Sequence, residues 1–334
     1  MKLFIKKIFL FTIVFGIFSV IVGQIYLHNY LKIVFSEEAF RLPENITTVF
    51  FGDSHANTTF DPEIIENSFN ASVESEIYFT TYSKMKSLLK SNPQIKNVVL
   101  SHGYHNLSFA YNKDILFSDK YYSLFDQWGK EIIHSAANGQ LLEYKYGPFN
   151  SFFSRWFAYL EHFVNSTFIR LKYDVGVPVN LTDYLNFYVS ILRNNPKLNE
   201  FPLYPGNYRS DKSNLEESLT NKFINLHYYI DGEVGSSGIM IESLYRMAET
   251  CREYNVNFFL INTPIHSSFK SKIPEYYIKL YDEVLIDLKD KFDNIYYYDF
   301  SSVDYPDSLF GDGDHLNAPG MERFSNEIKD LFTE

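Results

Sequence analysis

Short apolar runs alternate with stretches whose apolar residues recur every three or four positions, and this alternation sets the fold class before any single residue is weighed. Thr48–Phe51 is an apolar run ending at Gly52; positions 98–100 form a second after the turn signal Asn92-Pro93, and positions 258–261 and 295–298 have the same form. Short continuous apolar runs suit strands buried on both faces of a parallel sheet. Between them Tyr78, Tyr82, Met85 and Leu89 repeat at helical spacing, as do Tyr277, Tyr281, Val284 and Leu288. The spacing predicts a last helix with Asn317 as its N-cap, Pro319 in its first turn, and Met321, Phe324, Ile328 and Leu331 on one face. Strands alternating with helices imply an α/β fold, a parallel sheet covered by helices on both faces.

The pattern departs from this rhythm twice. Positions 8–27 hold no charged residue, and about 20 residues at 1.5 Å each match a bilayer core of about 30 Å, which predicts a transmembrane helix. Lys2, Lys6 and Lys7 precede it, so the positive-inside rule puts the N-terminus in the cytoplasm and the remainder outside, with Tyr26 and Tyr30 as interfacial anchors. The protein is thus expected to be a single-pass protein of the cytoplasmic membrane, its main domain extracytoplasmic. A cleaved signal peptide is the alternative; the length of the apolar run and the lack of an Ala-x-Ala site speak against it. The expected organisation is a stub and membrane helix over 1–31, a charged linker over 32–45, and one domain over 46–334. Between about 107 and 235 the strand–helix alternation stops, leaving helix-like stretches at 152–171 and 215–228 and a Pro-rich loop at 195–205. Such an insertion emerges beside the strand ends, where it is expected to form a lid or substrate platform, or a purely structural elaboration.

Composition narrows the function. With 334 residues and 46% hydrophobic content the chain can bury a large core. A net charge of -11 and a pI near 5.3 exclude a nucleic-acid partner, since counterion release needs clustered Lys and Arg. The 27 Tyr and 32 Phe fill the core first, with stacking on sugar rings as the functional alternative. The single cysteine, Cys251, shares an apolar helical stripe with Ile241, Leu244 and Ala248, so it reads as a buried packing residue. Asn-x-Ser/Thr sequons occur at Asn45, Asn57 and Asn106 among others.

In a doubly wound sheet, ligands gather at the carboxyl ends of the strands, so the residues just after each run carry the candidate chemistry. They are polar throughout: Asp53, Ser54 and His55; Ser101, His102, His105 and Asn106; Thr263 and His266; Asp312 and His315. A serine hydroxyl needs a base to take its proton, and the base needs a carboxylate to fix its tautomer. Ser54, His315 and Asp312 fill those three roles, with the Asp-x-x-His spacing placing carboxylate and imidazole together on one turn. Ser54 is expected to open the helix after the first strand, its own backbone N–H serving as an oxyanion donor beside the helix N-terminus. His55, His102, His105, Thr263 and His266 are expected to line the substrate. Asp53 reads as a structural hydrogen-bonder. The histidines also permit a metal site, but no His-x-x-x-His or His-Glu-x-x-His spacing supports one, so neither metal nor cofactor is expected.

At Gly52-Asp53-Ser54 and at Asp312 with His315 the chain resembles the SGNH or GDSL-type hydrolase family. The resemblance covers the region from about Ile46 to Phe332 outside the insertion, and implies a flavodoxin-like sheet and esterase or acyl-transfer chemistry without metal or cofactor. Two middle motifs depart from the family's pattern. The family's glycine donor after the second strand has no counterpart; Ser72-Val73-Glu74-Ser75 lies there, and the Ser75 backbone amide is the substitute. The Gly-x-Asn-Asp motif appears as Gly103-Tyr104-His105-Asn106, with the asparagine one place late, making Asn106 the candidate side-chain donor and His105 the second. Anchored members resemble enzymes that add or remove acyl groups, often acetyl, on cell-surface polysaccharide, so the implied activity is that of an O-acyltransferase or esterase. A polytopic membrane-bound O-acyltransferase is the implied partner for acyl supply. The alternative is a non-catalytic glycan-binding or assembly subunit that keeps the fold.

Overall fold

Five strands form one parallel sheet: β1 (Thr48–Phe51), β2 (Ser68–Asn70), β3 (Asn97–Ser101), β4 (Asn257–Asn262) and β5 (Ile295–Asp299), in the order β2-β1-β3-β4-β5. The computed structural model describes residues 6, 7, 9–11, 14, 40–111, 124–137 and 212–332. The helices, in chain order, are α1 (Ser54–Asn57), α2 (Tyr78–Ser91), α3 (Gln127–Ala137), α4 (Glu217–Tyr228), α5 (Gly238–Glu253), α6 (Ser267–Lys270), α7 (Glu275–Lys291) and α8 (Ala318–Ile328).

Strand side chains alternate between two cores, as the pleat requires. Val49, Phe51, Val98, Leu100, Phe258 and Leu260 face α2, α5 and α7, whereas Phe50, Val99, Phe259 and Ile261 face Ala56, Phe60 and α8. Both faces are therefore apolar, which is why the runs read as continuous rather than alternating. Each large aliphatic or aromatic side chain so buried contributes roughly 1.5–3 kcal/mol of transfer free energy. Cys251 lies in the first core beside Leu244, Met247 and Ala248, and burial pushes its thiol pKa up, so it is a packing residue as expected.

Two elements differ from the expectation. β2 has no apolar run; its Asn70 is buried and donates from Nδ2 to the carbonyls of Phe60 (2.9 Å) and Ala56 (3.3 Å), so polar ties to the loop after α1 replace side-chain burial. α1 is a single turn, too short to carry much of a macrodipole. Anion stabilisation by that helix N-terminus therefore falls away.

The chain leaves β1 toward β2 and then crosses back to β3 on the other side, so loops diverge between β1 and β3, where such sheets open a crevice. Gly52 sits at that fork with a φ of 137°, and a Cβ there would lie 2.9 Å from Ser101 Cβ and 3.0 Å from Ala56 Cβ. Only glycine lets β1 turn this close to β3.

The flanks of the 107–235 segment are stitched together: Ser108 and Ser236 form an antiparallel bridge, Phe109 N donates to Gly235 O (2.9 Å) and Ser237 N to Leu107 O (2.9 Å). The expected helix near 215–228 is α4; the stretches at 152–171 and 195–205 lie outside the described residues. Most of the apolar run at 8–27 does too. Its described positions 9–11 and 14 are helical, and among the described residues no helix is long and apolar enough to cross a membrane.

Candidate active site

β1 ends at the fork, and the next three residues distribute themselves by capping geometry. Asp53 is the N-cap of α1, its Oδ1 accepting from His55 N at 2.9 Å, which leaves Ser54 partly exposed at the rim. From the far end of the chain comes a tight loop closed by Gly311 N donating to His315 O (2.8 Å). Within it Asp312 Oδ1 accepts from the amides of Asp314 (2.8 Å) and His315 (2.9 Å), so the carboxylate is aimed at the imidazole two ways at once. His315 Nδ1 lies 3.0 and 3.1 Å from the two Asp312 oxygens, and its Nε2 lies 2.8 Å from Ser54 Oγ. A carboxylate on Nδ1 fixes the proton there and leaves Nε2 basic toward the hydroxyl. Hydroxyl, imidazole and carboxylate are in line across a separation of 261 residues.

Beneath this line lies a second, more deeply buried cluster. Asp53 Oδ1 is 3.1 Å from His55 Nδ1, and its Oδ2 accepts from His105 Nε2 (2.8 Å) and Asn106 Nδ2 (3.0 Å). On its other side His55 Nε2 is 3.0 Å from Asp314 Oδ1, and Asp314 Oδ2 is 2.9 Å from His227 Nε2. The two Asp314 contacts are at ion-pair distance without the alignment of a hydrogen bond. The His55 ring stacks on His105 (centroids 4.3 Å) and leans on His315 (4.7 Å).

Charges in the cluster follow from these contacts. Burial opposes a charged His55, but the carboxylates of Asp314 and Asp53 outweigh it and hold its pKa well above the ordinary imidazole value. Burial would likewise raise Asp53 and Asp314, yet His55 with His105 for the first, and His55 with His227 for the second, hold them well below the carboxylate range. Burial, with the His55 charge beside it, pushes His105 down to about 4 against the pull of Asp53. His55 is thus an imidazolium clamped between two carboxylates, and His105 a neutral donor.

Of the residues predicted from sequence, the fold brings Ser54, Asp312, His315, His55, His105 and Asn106 together. Others go elsewhere. His102 is in the core, taking a 2.6 Å hydrogen bond between Nδ1 and the Tyr78 hydroxyl and stacking on Tyr281; burial and His105 push its pKa down to about 3. Thr263 is buried just past β4. His266 supports the Asp312–His315 loop, its backbone N donating to Gly313 O (3.0 Å) and its ring contacting Ser268 and Asp307. Ser75 stands exposed in a tight turn with φ of 59°. Asn106 turns its amide toward Asp53, while its Oδ1 accepts from Gly103 N at 2.7 Å.

Asp314, His227 and Tyr111 belong to the cluster and carry no role in the sequence reading. Asp314 was visible in Asp312-Gly313-Asp314-His315 as a second carboxylate of the same motif; His227 and Tyr111 give no sequence signal, since their partners are distant in the chain. Among the described residues, two sets of buried donors each hold their ligand atoms within 4.8 Å of one another, Asp53–His55–His105 and His55–Asp314–His315. The first set is hydrogen-bonded internally, and in the second both nitrogens of His315 already face Ser54 and Asp312, so the geometry favours shared protons over a shared ion. No protein-family model matches this chain, and none of the curated proteins matches it.

Proposed function

We propose that this protein is a serine-dependent esterase or O-acyltransferase of the SGNH/GDSL type, with Ser54 as nucleophile, His315 as general base and Asp312 as its orienting carboxylate. The observation that carries the reading is the unbroken contact line from Ser54 Oγ to His315 Nε2 (2.8 Å) and from His315 Nδ1 to Asp312 (3.0 Å). Strand order 2-1-3-4-5, the flavodoxin-like order, with the serine at the fork of the sheet, agrees with it. Ser54 would attack an ester carbonyl as His315 takes its proton, and the acyl-serine would then pass its acyl group to water or to a sugar hydroxyl. The Ser54 amide is the nearest oxyanion donor.

The substrate class we assign is O-acyl, foremost O-acetyl, groups on cell-surface polysaccharide, with the domain held outside the cytoplasmic membrane by the helix at 8–27. Phe9, Leu10, Phe11 and Val14 are exposed apolar residues on the described part of that segment, in keeping with a lipid-facing helix. A membrane-bound O-acyltransferase is the partner this topology calls for if acyl groups are supplied from inside. No metal or cofactor enters the scheme.

A fluorophosphonate probe tests the reading: wild type should be labelled on Ser54, and Ser54→Ala should not. A folded wild type that takes no label would reject it. The second reading, a non-catalytic glycan-binding or assembly subunit, is favoured by one observation, the commitment of the Asn106 amide to Asp53 and of Ser75 to an exposed turn, which leaves two family donors unconverted to an oxyanion hole.

A further inference from the structure

A second hydroxyl, imidazole and carboxylate stand in order beside the first. The Tyr111 hydroxyl is hydrogen-bonded to His227 Nδ1, and His227 Nε2 lies 2.9 Å from Asp314 Oδ2, an ion-pair distance without the alignment of a hydrogen bond. In the first set the corresponding distances are 2.8 Å from Ser54 to His315 and 3.0 Å from His315 to Asp312. Both carboxylates come from the same tight loop, two residues apart, and both imidazoles flank the same His55 ring, His315 at 4.7 Å and His227 at 6.3 Å between centroids. Tyr111 and His227 come from opposite flanks of the 107–235 segment, whose ends are stitched together beside β3. An imidazole held between a phenol and a buried carboxylate can take a proton at one nitrogen while the carboxylate stabilises the resulting charge at the other.

We propose that Tyr111, His227 and Asp314 form a second proton relay that serves the oxygen of the acyl donor and acceptor, while Ser54, His315 and Asp312 serve the nucleophile. The inference rests on the acyl-Ser54 reading. In acylation, Ser54 Oγ bonds to the acyl carbon as its proton passes to His315 Nε2. The bond to the donor's oxygen breaks with its electron pair on that oxygen, which takes the Tyr111 proton, and His227 restores it from Nδ1 with a proton drawn from solvent and returned to solvent after transfer. In transfer, the acceptor oxygen bonds to the acyl carbon; its proton passes to Tyr111 and the Tyr111 proton to His227 Nδ1. The bond from the acyl carbon to Oγ breaks with its pair on Oγ, which recovers the proton from His315. Donor ester and acceptor alcohol become donor alcohol and acceptor ester, with no proton gained or lost. Division of labour between two relays lets His315 hold the serine's proton throughout the life of the acyl-enzyme.

The test loads the full chain with p-nitrophenyl acetate. Nitrophenolate departs without needing a proton, so its release reads acylation free of the second relay; after removal of the excess ester, decay of acetyl-Ser54 by mass spectrometry reads transfer to water. In Tyr111→Phe, which deletes one oxygen, and in His227→Gln, acetyl loss should slow about 10- to 100-fold relative to loading. Loading and decay both within about twofold of wild type in the two variants would overturn the relay, as would equal losses of loading and decay in a Tyr111→Phe protein that melts like wild type. A wild type that neither releases nitrophenolate nor takes the fluorophosphonate label overturns the Ser54 reading itself, and the relay with it.

Discussion

Two layers of the same side-chain chemistry lie against each other at the carboxyl edge of the sheet, and neighbours in sequence are divided between them. Ser54, Asp312 and His315 form the outer layer; Asp53, His55 and Asp314 form the inner. The Asp312 side chain is 14% exposed and that of Asp314 1%, although one residue separates them. The difference separates two uses of an imidazole. An outer imidazole that gains and loses a proton in the proposed reaction benefits from a partner that water still reaches, whereas two buried carboxylates favour the charged form of inner His55. The inner layer supplies charge and position; in the proposed reaction the outer layer would move the proton.

The sharpest way to break this division is at the nucleophile. Ser54→Ala should lower ester turnover by at least about 10³-fold while leaving the melting temperature unchanged, measured with p-nitrophenyl acetate and by thermal unfolding. Next comes Asp53→Ala, which leaves the His55 imidazolium with only the Asp314 carboxylate, takes the acceptor from His105 and Asn106, and should cost about 3–5 kcal/mol in denaturant unfolding. Asp312→Ala, by contrast, should cost less than about 1 kcal/mol, because its side chain is partly solvated. Equal costs would erase the distinction between layers.

A smaller effect lies in the pH dependence of stability. His102 and His105 are held to pKa values of about 3 and about 4, whereas an unfolded chain protonates its histidines near about 6.5. Below that value the unfolded state binds more protons than the folded one, so stability should fall as pH drops from about 6.5 toward 4. His55 acts in the opposite sense: its raised pKa gives a contribution complete below about 6.5 and lost only as pH rises through its folded-state value. Around His102 stand Tyr78, Tyr281 and His105. Replacing it with Asn should remove up to one proton from the acid slope, about 1.4 kcal/mol per pH unit, read from denaturant midpoints at pH 7, 6 and 5; an unchanged slope would contradict the assignment. A similarly small effect is expected at Asn317, whose Oδ1 caps α8 through Gly320 N (3.0 Å) and whose Nδ2 donates to Ser308 O (2.7 Å). Asn317→Ala should cost about 1 kcal/mol by the same measurement.

Much of this arrangement can be read from the chain. β1, β3 and β4 announce themselves because burial on both faces leaves apolar runs, β5 as an edge strand by its Ile295 and three tyrosines, half-buried apart from exposed Tyr296, and α2, α7 and α8 because one face packs on the sheet. Ser54, Asp312 and His315 follow from residue type at strand ends. β2 is hidden because Ser68 and Asn70 are held by hydrogen bonds rather than by apolar burial. His102 and His105 look equivalent in sequence, and only the 3-10 turn over Tyr104–Leu107 sends one into the core and the other to Asp53. Asp312 and Asp314 are likewise indistinguishable by type; the amides of Asp314 and His315 that the Asp312 carboxylate collects decide which faces His315 Nδ1. His227 sits on a helix whose apolar spacing says nothing of the Asp314 it meets.

The ties of Asn92 and Asn97 bear on how the domain is presented. Asn92, at the end of α2, accepts from Leu42 N and donates to Phe40 O, and Asn97, at the start of β3, donates to Phe332 O. Polypeptide thus enters near Phe40 and leaves near Phe332 at the amino ends of the strands, the pole opposite Ser54. Any support attached upstream of Phe40 holds the domain by its base, with the reactive serine turned outward toward whatever lies beyond the surface.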